Sequence, residues 1–392
     1  MRIKRLKRMV IAVVLLLILS ISAVYGEIDV SENIRAALVG DMATREVFYA
    51  YNEEEPVEMA SVTKIMTYLV AREAIENGEV ASDDLVTISP YAASIEGSSF
   101  NLRVGEEIPL EVLMNSIMIV SGNDAAVAIA EHVAGTEQAF VQRMHQKAAE
   151  LGLTTAYFIN PSGLPTDAEE SDQNYMSAMD LFHLSAYLFE TYPDIAEVTI
   201  QEEVTLTDRN FSREATNPLL GVLQGVDGLK TGYTHKAGLC LVSSMPYQDE
   251  EDNLKDRRVI AVLMGAHSHN DRVNKSIELL EYGYYEYFIE GIVQKDQPLG
   301  EIIIDNAVEA QVGVISGENF YQLVRNGDML QEELVYIEGI KAPLAKGEVV
   351  GQLNVYLNDQ LIQSVPVLVS EDVEKANLFV RLFRFLSGLL GI

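Results

Sequence analysis

The chain has 392 residues, 48% hydrophobic and 22% charged, so it can bury sizeable cores and wholesale disorder is excluded. At typical domain sizes of ~100–200 residues, this length predicts two or three domains. Lys and Arg number 28 against 59 Asp and Glu, and the net charge of −31 repels polyphosphate and excludes general nucleic-acid binding. Cys240 is the single cysteine, which excludes an intramolecular disulfide and a cysteine-rich metal site.

Residues 1–26 have the pattern of an export signal. Residues 1–8 contain five bases, and 9–26 are uncharged and include an aliphatic run at 10–19. A basic segment, an apolar segment and small residues near Gly26 are typical of a cleaved signal peptide. An uncleaved membrane span is the alternative, because the uncharged stretch is just long enough to cross a bilayer. Either way, the rest of the chain is expected to be exported.

Residues 27–292 are predicted to form one domain of mixed helices and strands. The order is two paired strands, several helices, further strands and a closing helix, which predicts an α/β (α+β) fold with a sheet flanked by helices. The expected strands are 36–41, 46–51, 203–206, 229–233, 238–243 and 259–265, and the expected helices are 61–77, 110–120, 124–133, 138–151, 178–190 and 271–290.

Residues 293–370 have a different pattern, with short stretches of alternating apolar residues separated by Gly, Asn or Asp. This pattern predicts a small all-β domain, with a boundary near 291–296. The expected strands are 298–304, 310–315, 320–323, 334–337, 349–357 and 365–369.

Residues 371–392 are predicted to form a terminal segment that contains an amphipathic helix at 373–392. Polar residues recur there at spacings of three and four, and large apolar residues fill the remaining positions. Arg381 and Arg384 in mid-segment make a membrane span a poor interpretation and an interfacial helix at the membrane surface a better one. A terminal helix packed on its own domain is the alternative.

Ser61 and Lys64 open the predicted helix at 61–77 in the pattern S-x-x-K. Residues three apart lie on one helix face, so a neutral Lys64 can take the proton of Ser61. A helix N-terminus also favours the negative charge that develops in acyl transfer. Serine is nevertheless a common N-cap and lysine a common helix residue, so this pattern alone does not establish a catalytic pair.

Two more polar patterns follow. Ser121 and Asn123 form S-x-N between two predicted helices, where a helix cap is the alternative. Lys230, Thr231 and Gly232 form K-T-G in a predicted strand that could dock a carboxylate-ended peptide, and an exposed lysine beside a bulge glycine is the alternative. In this order, on helix, inter-helix loop and strand, the three patterns are the signature of the penicillin-recognising serine acyl-enzymes.

The chain resembles low-molecular-mass penicillin-binding proteins of the D-alanyl-D-alanine carboxypeptidase type. The resemblance implies the penicillin-binding/β-lactamase-like transpeptidase fold, with an antiparallel sheet flanked by helices, and a zinc-free enzyme that needs no cofactor. The β-rich portion and the amphipathic tail fit the family's general plan. The resemblance covers roughly residues 35–287 and is carried by the segments 59–67, 97–99, 120–126, 160–164 and 226–234.

For catalysis, the resemblance implies that Ser61 is the nucleophile, which forms an acyl ester with the penultimate D-alanine of a peptidoglycan stem peptide. Lys64 would be the general base, so it must be neutral for part of the cycle. Ser121 would pass a proton to the departing D-alanine, and Asn123 would hold either the substrate amide or Lys64. β-Lactam antibiotics would be trapped by the same serine.

For substrate binding, the resemblance implies that Lys230 and Thr231 hold the terminal carboxylate. Gly232 would let the peptide approach the strand. The backbone N–H groups of Ser61 and Tyr233 would form the oxyanion hole. Since Tyr233 occupies a position that varies in the family, it leaves the fine substrate preference open.

Other functions are compatible with parts of the sequence. A β-lactamase needs an acid that activates water, and Glu170 with Asn174 matches its E-x-x-x-N pattern, but a β-domain and an anchor have no role in such an enzyme. A transpeptidase or a D,D-endopeptidase would use the same residues. A catalytically idle sensor is disfavoured, because it need not keep a proton-transfer set. We therefore expect a D-Ala-D-Ala carboxypeptidase on the outer face of a bacterial cytoplasmic membrane.

Overall fold

The computed structural model describes residues 28–166, 172–206, 209–247 and 257–378. The chain divides into two compact units between Tyr285 and Glu286. Among the residues described, no helix combines the length and the apolar character needed to cross a bilayer. The expected signal peptide at 1–26 lies outside the described residues.

The strands of the first unit are β1 (Ala36–Asp41), β2 (Val47–Tyr51), β3 (Val57–Glu58), β4 (Leu85–Thr87), β5 (Glu107–Pro109), β6 (Tyr175–Met176), β7 (Glu203–Leu206), β8 (Phe211–Glu214), β9 (Gly228–Thr234), β10 (Gly238–Pro246) and β11 (Arg258–Ala266). Five of them form an antiparallel sheet in the order β2-β1-β11-β10-β9. Strand β9 is therefore an edge, where Lys230 pairs with Val242 and Gly232 with Cys240 of β10.

The helices of this unit are α1 (Lys64–Glu76), α2 (Leu110–Ile119), α3 (Asn123–Ala134), α4 (Glu137–Glu150), α5 (Ala178–Thr191), α6 (Ile195–Thr199) and α7 (His269–Glu286), whose last residue is the first of the second unit. Nine of the thirteen residues of α1 are buried, which makes this helix a central element of the core. The prediction of an α/β (α+β) fold, with an antiparallel sheet and flanking helices, is confirmed.

Two predicted helices differ from the structure at one end. The helix expected from Ser61 begins at Lys64, and Ser61 instead lies in a 3-10 turn, Ala60–Thr63. The helix expected to reach Glu290 ends at Glu286, because the stretch that follows, rich in aromatic and β-branched residues, pairs as a strand with a later segment.

The part of the second unit that matches the predicted domain at 293–370 is all-β, as predicted. Strands β13, β14, β18, β17 and β16 form one antiparallel sheet in that order, and β12 pairs with β15. Its core consists of aliphatic side chains, most of them valines. Here the strands are β12 (Tyr287–Val293), β13 (Pro298–Ile303), β14 (Gln311–Ser316), β15 (Phe320–Arg325), β16 (Leu330–Tyr336), β17 (Val349–Leu357) and β18 (Gln360–Val369).

The expected helix at 373–392 is wrong for its first residues. Val373 bridges to Leu344 and Lys375 to Ala307, so this stretch is extended. Val373 and Ala376 are buried, and this packing replaces the first helical turn. The rest of the predicted membrane-surface helix, at 379–392, lies outside the described residues.

Candidate active site

The 3-10 turn Ala60–Thr63 holds Ser61 between an edge strand and a loop. On the strand side, a Cβ at Gly232 would lie 2.7 Å from the Met59 carbonyl oxygen and 3.2 Å from the Ser61 nitrogen. On the loop side, Gly163 has φ +82° and leaves no space for a side chain against the first residue of the turn. Gly232, expected only to admit a peptide, thus also lets β9 pack directly against the nucleophile turn.

Lys64 is completely buried, and its Nζ makes three short contacts. It lies 2.9 Å from Ser61 Oγ, 2.7 Å from Asn123 Oδ1 and 2.6 Å from the Ser162 carbonyl oxygen. The Asn123 and Ser162 oxygens are pure acceptors, so they can take both N–H groups of a neutral amine. The amine lone pair is then directed at the Ser61 hydroxyl, which suits transfer of the Ser61 proton to Lys64.

The electrostatic environment favours a neutral amine at Lys64. Burial is the main reason that the pKa of Lys64 lies well below its ordinary value, and the positive charge of Lys230 lowers it further, while Asp124 acts in the opposite direction. Lys230 is also buried, and its burial, with a smaller effect of Arg272, lowers its pKa to about 7. A lysine in such surroundings can act as a base near neutral pH.

Ser121 and Asn123 lie where α2 ends and α3 begins. Ser121 is buried and has φ +64°. The Asn123 backbone N–H donates to the Ser98 carbonyl oxygen at 2.7 Å, and its Nδ2 donates to that of Glu96 at 3.0 Å. Asn123 Oδ1 contacts Lys64 Nζ, but the role of Asn123 in holding Lys64 or the substrate amide stays a prediction. The proton-shuttle role of Ser121 stays a prediction, because Ser121 is not among the three residues whose oxygen atoms Lys64 Nζ contacts.

The K-T-G residues follow the edge strand β9. Lys230 Nζ donates to the Thr231 carbonyl oxygen at 2.9 Å, and Thr231 Oγ1 lies 2.7 Å from Thr216 Oγ1. Tyr233 is 55% exposed, and its hydroxyl lies 3.1 Å from Nδ1 of His235. Carboxylate binding by Lys230 and Thr231, and an oxyanion hole at Tyr233, stay predictions.

Three residues to which sequence reasoning gave no role also shape the site. Ser162 supplies a carbonyl acceptor to Lys64, and its N-P-S-G-L segment was visible only through the family resemblance. Asp124 accepts hydrogen bonds from the neighbouring loop at 99–102. Arg272 is buried in α7 near Lys230, and its Nε has no hydrogen-bond partner among the described residues. Arg272 belongs to none of the sequence motifs described above, so no pattern in the sequence indicated its position beside Lys230.

The acid expected for a β-lactamase, Glu170, lies outside the described residues. Its pattern partner, Asn174, is fully buried and belongs to the framework of the site. Asn174 Nδ2 donates to Thr63 Oγ1 at 3.0 Å and to the Asn160 carbonyl oxygen at 2.8 Å, and its Oδ1 accepts from the Ile159 N–H at 2.7 Å. This amide therefore ties the nucleophile turn to the loop beneath it.

Comparisons with known proteins agree with this geometry. The profile of the D-alanyl-D-alanine carboxypeptidase family matches residues 27–268, and that of the C-terminal domain of penicillin-binding protein 5 matches 290–375. The chain is 32% identical over 362 residues to D-alanyl-D-alanine carboxypeptidase DacF of Bacillus subtilis, covering 91% of this chain and 90% of that protein.

Two solved structures are also similar. PBP3 of Streptococcus pneumoniae, a peptidoglycan synthesis regulatory factor, has 28% identity and a TM-score of 0.67, covering 87% of this chain and 99% of that one. Penicillin-binding protein D2 of Listeria monocytogenes, in its ampicillin-bound form, has 30% identity and a TM-score of 0.55, covering 66% and 100%. The chain therefore belongs to the D-alanyl-D-alanine carboxypeptidase family and is a serine hydrolase.

Proposed function

We propose that this enzyme removes the terminal D-alanine from peptidoglycan pentapeptide stems through an acyl-enzyme on Ser61, and so regulates cell-wall cross-linking. The observation that carries the proposal is the set of contacts around Lys64. One buried amine reaches Ser61 Oγ while two carbonyl oxygens, from Asn123 and Ser162, fix its direction.

In the first half of the reaction, Lys64 takes the Ser61 hydroxyl proton, and Oγ attacks the carbonyl carbon of the penultimate D-alanine. The oxyanion that forms is stabilised by the backbone N–H groups of Ser61 and Tyr233, each worth ~3–4 kcal/mol by analogy with other serine enzymes. The C–N bond then breaks, and the departing D-alanine amine receives a proton by way of Ser121. The product is an ester on Ser61.

In the second half, water hydrolyses the ester. Lys64 accepts a proton from the water, and the hydroxyl attacks the ester carbonyl carbon. The bond to Ser61 Oγ then breaks, and Oγ takes its proton back. This restores the free enzyme and releases the shortened stem peptide.

The terminal carboxylate of the substrate is held at the K-T-G strand. Lys230 and Arg272 place two buried cationic groups near this strand, and Thr231 adds a hydroxyl. A carboxylate that enters this positive region pairs with Lys230 and favours its protonated form. The selectivity for a free C-terminus, as opposed to an internal peptide bond, follows from this charge.

β-Lactams fit the same site, because their strained amide presents a carbonyl carbon to Ser61 and their carboxylate a partner to Lys230. The Listeria monocytogenes relative with bound ampicillin supports this extension. Deacylation of the penicillin adduct is expected to be slow, which separates the enzyme from a β-lactamase.

The test is the release of D-alanine from a pentapeptide-containing muropeptide, together with labelling by a fluorescent penicillin. Wild type is expected to release D-alanine and to form a long-lived adduct, and Ser61→Ala to do neither. Ser185→Ala is the matched control, because Ser185 is a buried serine of α5 whose hydroxyl, among the described residues, donates to the Leu181 carbonyl oxygen of its own helix. No D-alanine release by wild type, equal release by Ser61→Ala, or rapid turnover of penicillin would contradict the proposal.

We also propose that the enzyme works on the outer face of the cytoplasmic membrane, with its C-terminal segment at the membrane surface. The basic and apolar pattern of residues 1–26 and the apolar residues of 378–392 support this location. A membrane-impermeant penicillin should then label the enzyme in intact cells, and absence of labelling would count against export.

A further inference from the structure

The residues of the S-x-N motif rest on a loop at 96–102 that contacts α3 along its first turn. Asn123 donates from its backbone N–H to the Ser98 carbonyl oxygen at 2.7 Å and from Nδ2 to that of Glu96 at 3.0 Å. Asn123 Oδ1 is also an acceptor for Lys64, so a single side chain connects this loop to the catalytic amine.

The next residue, Asp124, binds the other half of the loop. Its carboxylate is almost completely buried and accepts from the Phe100 N–H at 2.8 Å, the Leu102 N–H at 3.0 Å and the Ser99 hydroxyl at 2.7 Å. The N–H groups on this side of the loop are thus satisfied by α3. The Phe100 and Asn101 carbonyl groups still need donors, and these come from outside both elements.

The donor is Arg209, from the connection between β7 and β8. Its Nη1 donates to the Asn101 carbonyl oxygen at 2.7 Å and its Nη2 to that of Phe100 at 3.3 Å. Its side chain is only 11% exposed, and Nε lies 3.3 Å from Glu106 Oε1, an ion pair that is not aligned as a hydrogen bond. A planar guanidinium has two Nη groups that can donate side by side, which suits bidentate binding of two adjacent carbonyl oxygens.

Aromatic packing reinforces the same contact. The Arg209 guanidinium lies 4.9 Å from the centre of the Phe211 ring, and that ring packs edge-to-face on Phe100 at 5.7 Å. Phe100 is fully buried. The hairpin of β7 and β8 is therefore joined to the loop by both polar and apolar contacts, whereas Arg213 on the same hairpin lies 5.8 Å from the Phe211 ring and is exposed.

We propose that Arg209 is a positioning residue for acylation, which holds the loop at 96–102 in the one position that fixes Asn123 against Lys64. Arg209 does not touch Ser61 or the substrate, and its effect passes through backbone carbonyl groups. The inference rests on the proposed function, because it assumes that Lys64 activates Ser61.

The proposal has a consequence for the pH dependence of acylation. The charged groups that act on Lys64 are Lys230 from β9 and Asp124 from α3, and burial is the largest cause of its lowered pKa. A loosened loop admits water beside Lys64, so its pKa rises towards the ordinary value of about 10.4. Because the base must be neutral, the acidic limb of the acylation rate then moves to higher pH.

The test measures the second-order rate constant for acylation by a fluorescent penicillin from pH 5 to 9, on the full-length protein. For Arg209→Ala we expect a fall of about tenfold at neutral pH and an acidic limb displaced upward by half a unit or more. Arg209→Lys, which keeps the charge but not the fork, should lie in between. Arg213→Ala removes the same charge from the same hairpin and should behave like wild type.

Active-site titration and thermal unfolding of each variant separate loss of folded enzyme from loss of positioning. If Arg209→Ala proves unfolded, Arg209→Lys carries the test. If an Arg209 variant contains fewer active molecules but the acidic limb of its acylation rate is unchanged, Arg209 has a purely structural role and the inference is overturned. An equal loss in Arg213→Ala would also overturn it. If wild type itself is not acylated, the proposed function fails instead.

Discussion

The two units of the molecule bury different kinds of side chain. Within the described residues, eight charged side chains are buried in the first unit, whereas the second buries one, Glu286 at its very start. The core of the second unit is aliphatic, and its other buried polar residues are Ser316 and Asn354. The two units are thus alike in having antiparallel sheets but differ in whether charge lies inside.

This difference locates the chemistry, because a buried charge lowers stability unless it is paired. Asp227 and Arg258 are paired at 2.8 Å, so their burial is compensated. Lys64 and Lys230 have no carboxylate partner among the described ion pairs, and their burial is not compensated in that way. A fold that keeps two such lysines gives up stability for a reactive amine and a positive binding region.

The largest expected effect compares the loss of a buried amide in each unit. Asn123→Ala removes an acceptor of Lys64 and leaves a buried N–H unsatisfied, so acylation by penicillin should fall about a hundredfold, or ~2.7 kcal/mol in the barrier. Asn354→Ala removes an amide that accepts from Ser364 Oγ at 2.7 Å in the second unit and should leave acylation unchanged. Comparable losses in both variants would mean that activity follows overall stability and not the geometry at Lys64.

The next effect compares one added methyl group in a strand of each unit. At Gly232 the new Cβ would lie 2.7 Å from the Met59 carbonyl oxygen, so β9 and the Ser61 turn must separate. At Gly291 the nearest atoms are those of the Tyr321 ring at 3.4 Å, an ordinary contact. We expect Gly232→Ala to acylate about tenfold more slowly and Gly291→Ala at the wild-type rate. Wild-type acylation by Gly232→Ala would show that the close approach of strand and turn is not needed.

The parts of the structure that could be predicted from the sequence are those set by local patterns of residues. The sheet and the helices follow from periodic burial, which the chain expresses locally, and the S-x-x-K pair is local too, since three residues separate Ser61 from Lys64. In contrast, Ser162 acts through a backbone oxygen, which its side-chain identity does not reveal. Arg209 and Arg272 reach their neighbours only after folding, so no spacing in the sequence indicates them.

The errors of sequence interpretation have a similar origin. Apolar residues at 287–293 are compatible with either a helix or a strand, and the partner strand β15 decides the outcome. At 373–377, the spacing of polar residues suits a helix, but Val373 packs in the β-rich core and Ala376 is buried, which outweighs that local preference. In both places tertiary pairing, which a single segment does not encode, determines the structure.

The last comparison concerns stability and not activity, and tests whether burial of charge does lower stability in the first unit. The pKa of Lys230 is about 7 in the folded protein, against about 10.4 in an unfolded chain. Between these values the unfolded state binds more protons, so the free energy of unfolding of wild type rises with pH, and below pH 7 the full cost of burial is present.

Lys230→Met removes this titration and keeps the volume of the side chain. Its Tm should exceed that of wild type at pH 7, by roughly 2–4 °C for each 1 kcal/mol of relieved cost, and the gap should close towards pH 10. Lys341→Met in the second unit is the control, because Lys341 is exposed and its replacement removes a lysine without relieving the burial of an amine. A Tm gap for Lys230→Met that stays constant from pH 7 to 10 would mean that Lys230 is stabilised by its surroundings as a cation. Lys230 could then still bind a carboxylate as a cation, but the conclusion that its burial lowers the stability of the first unit would have to be abandoned.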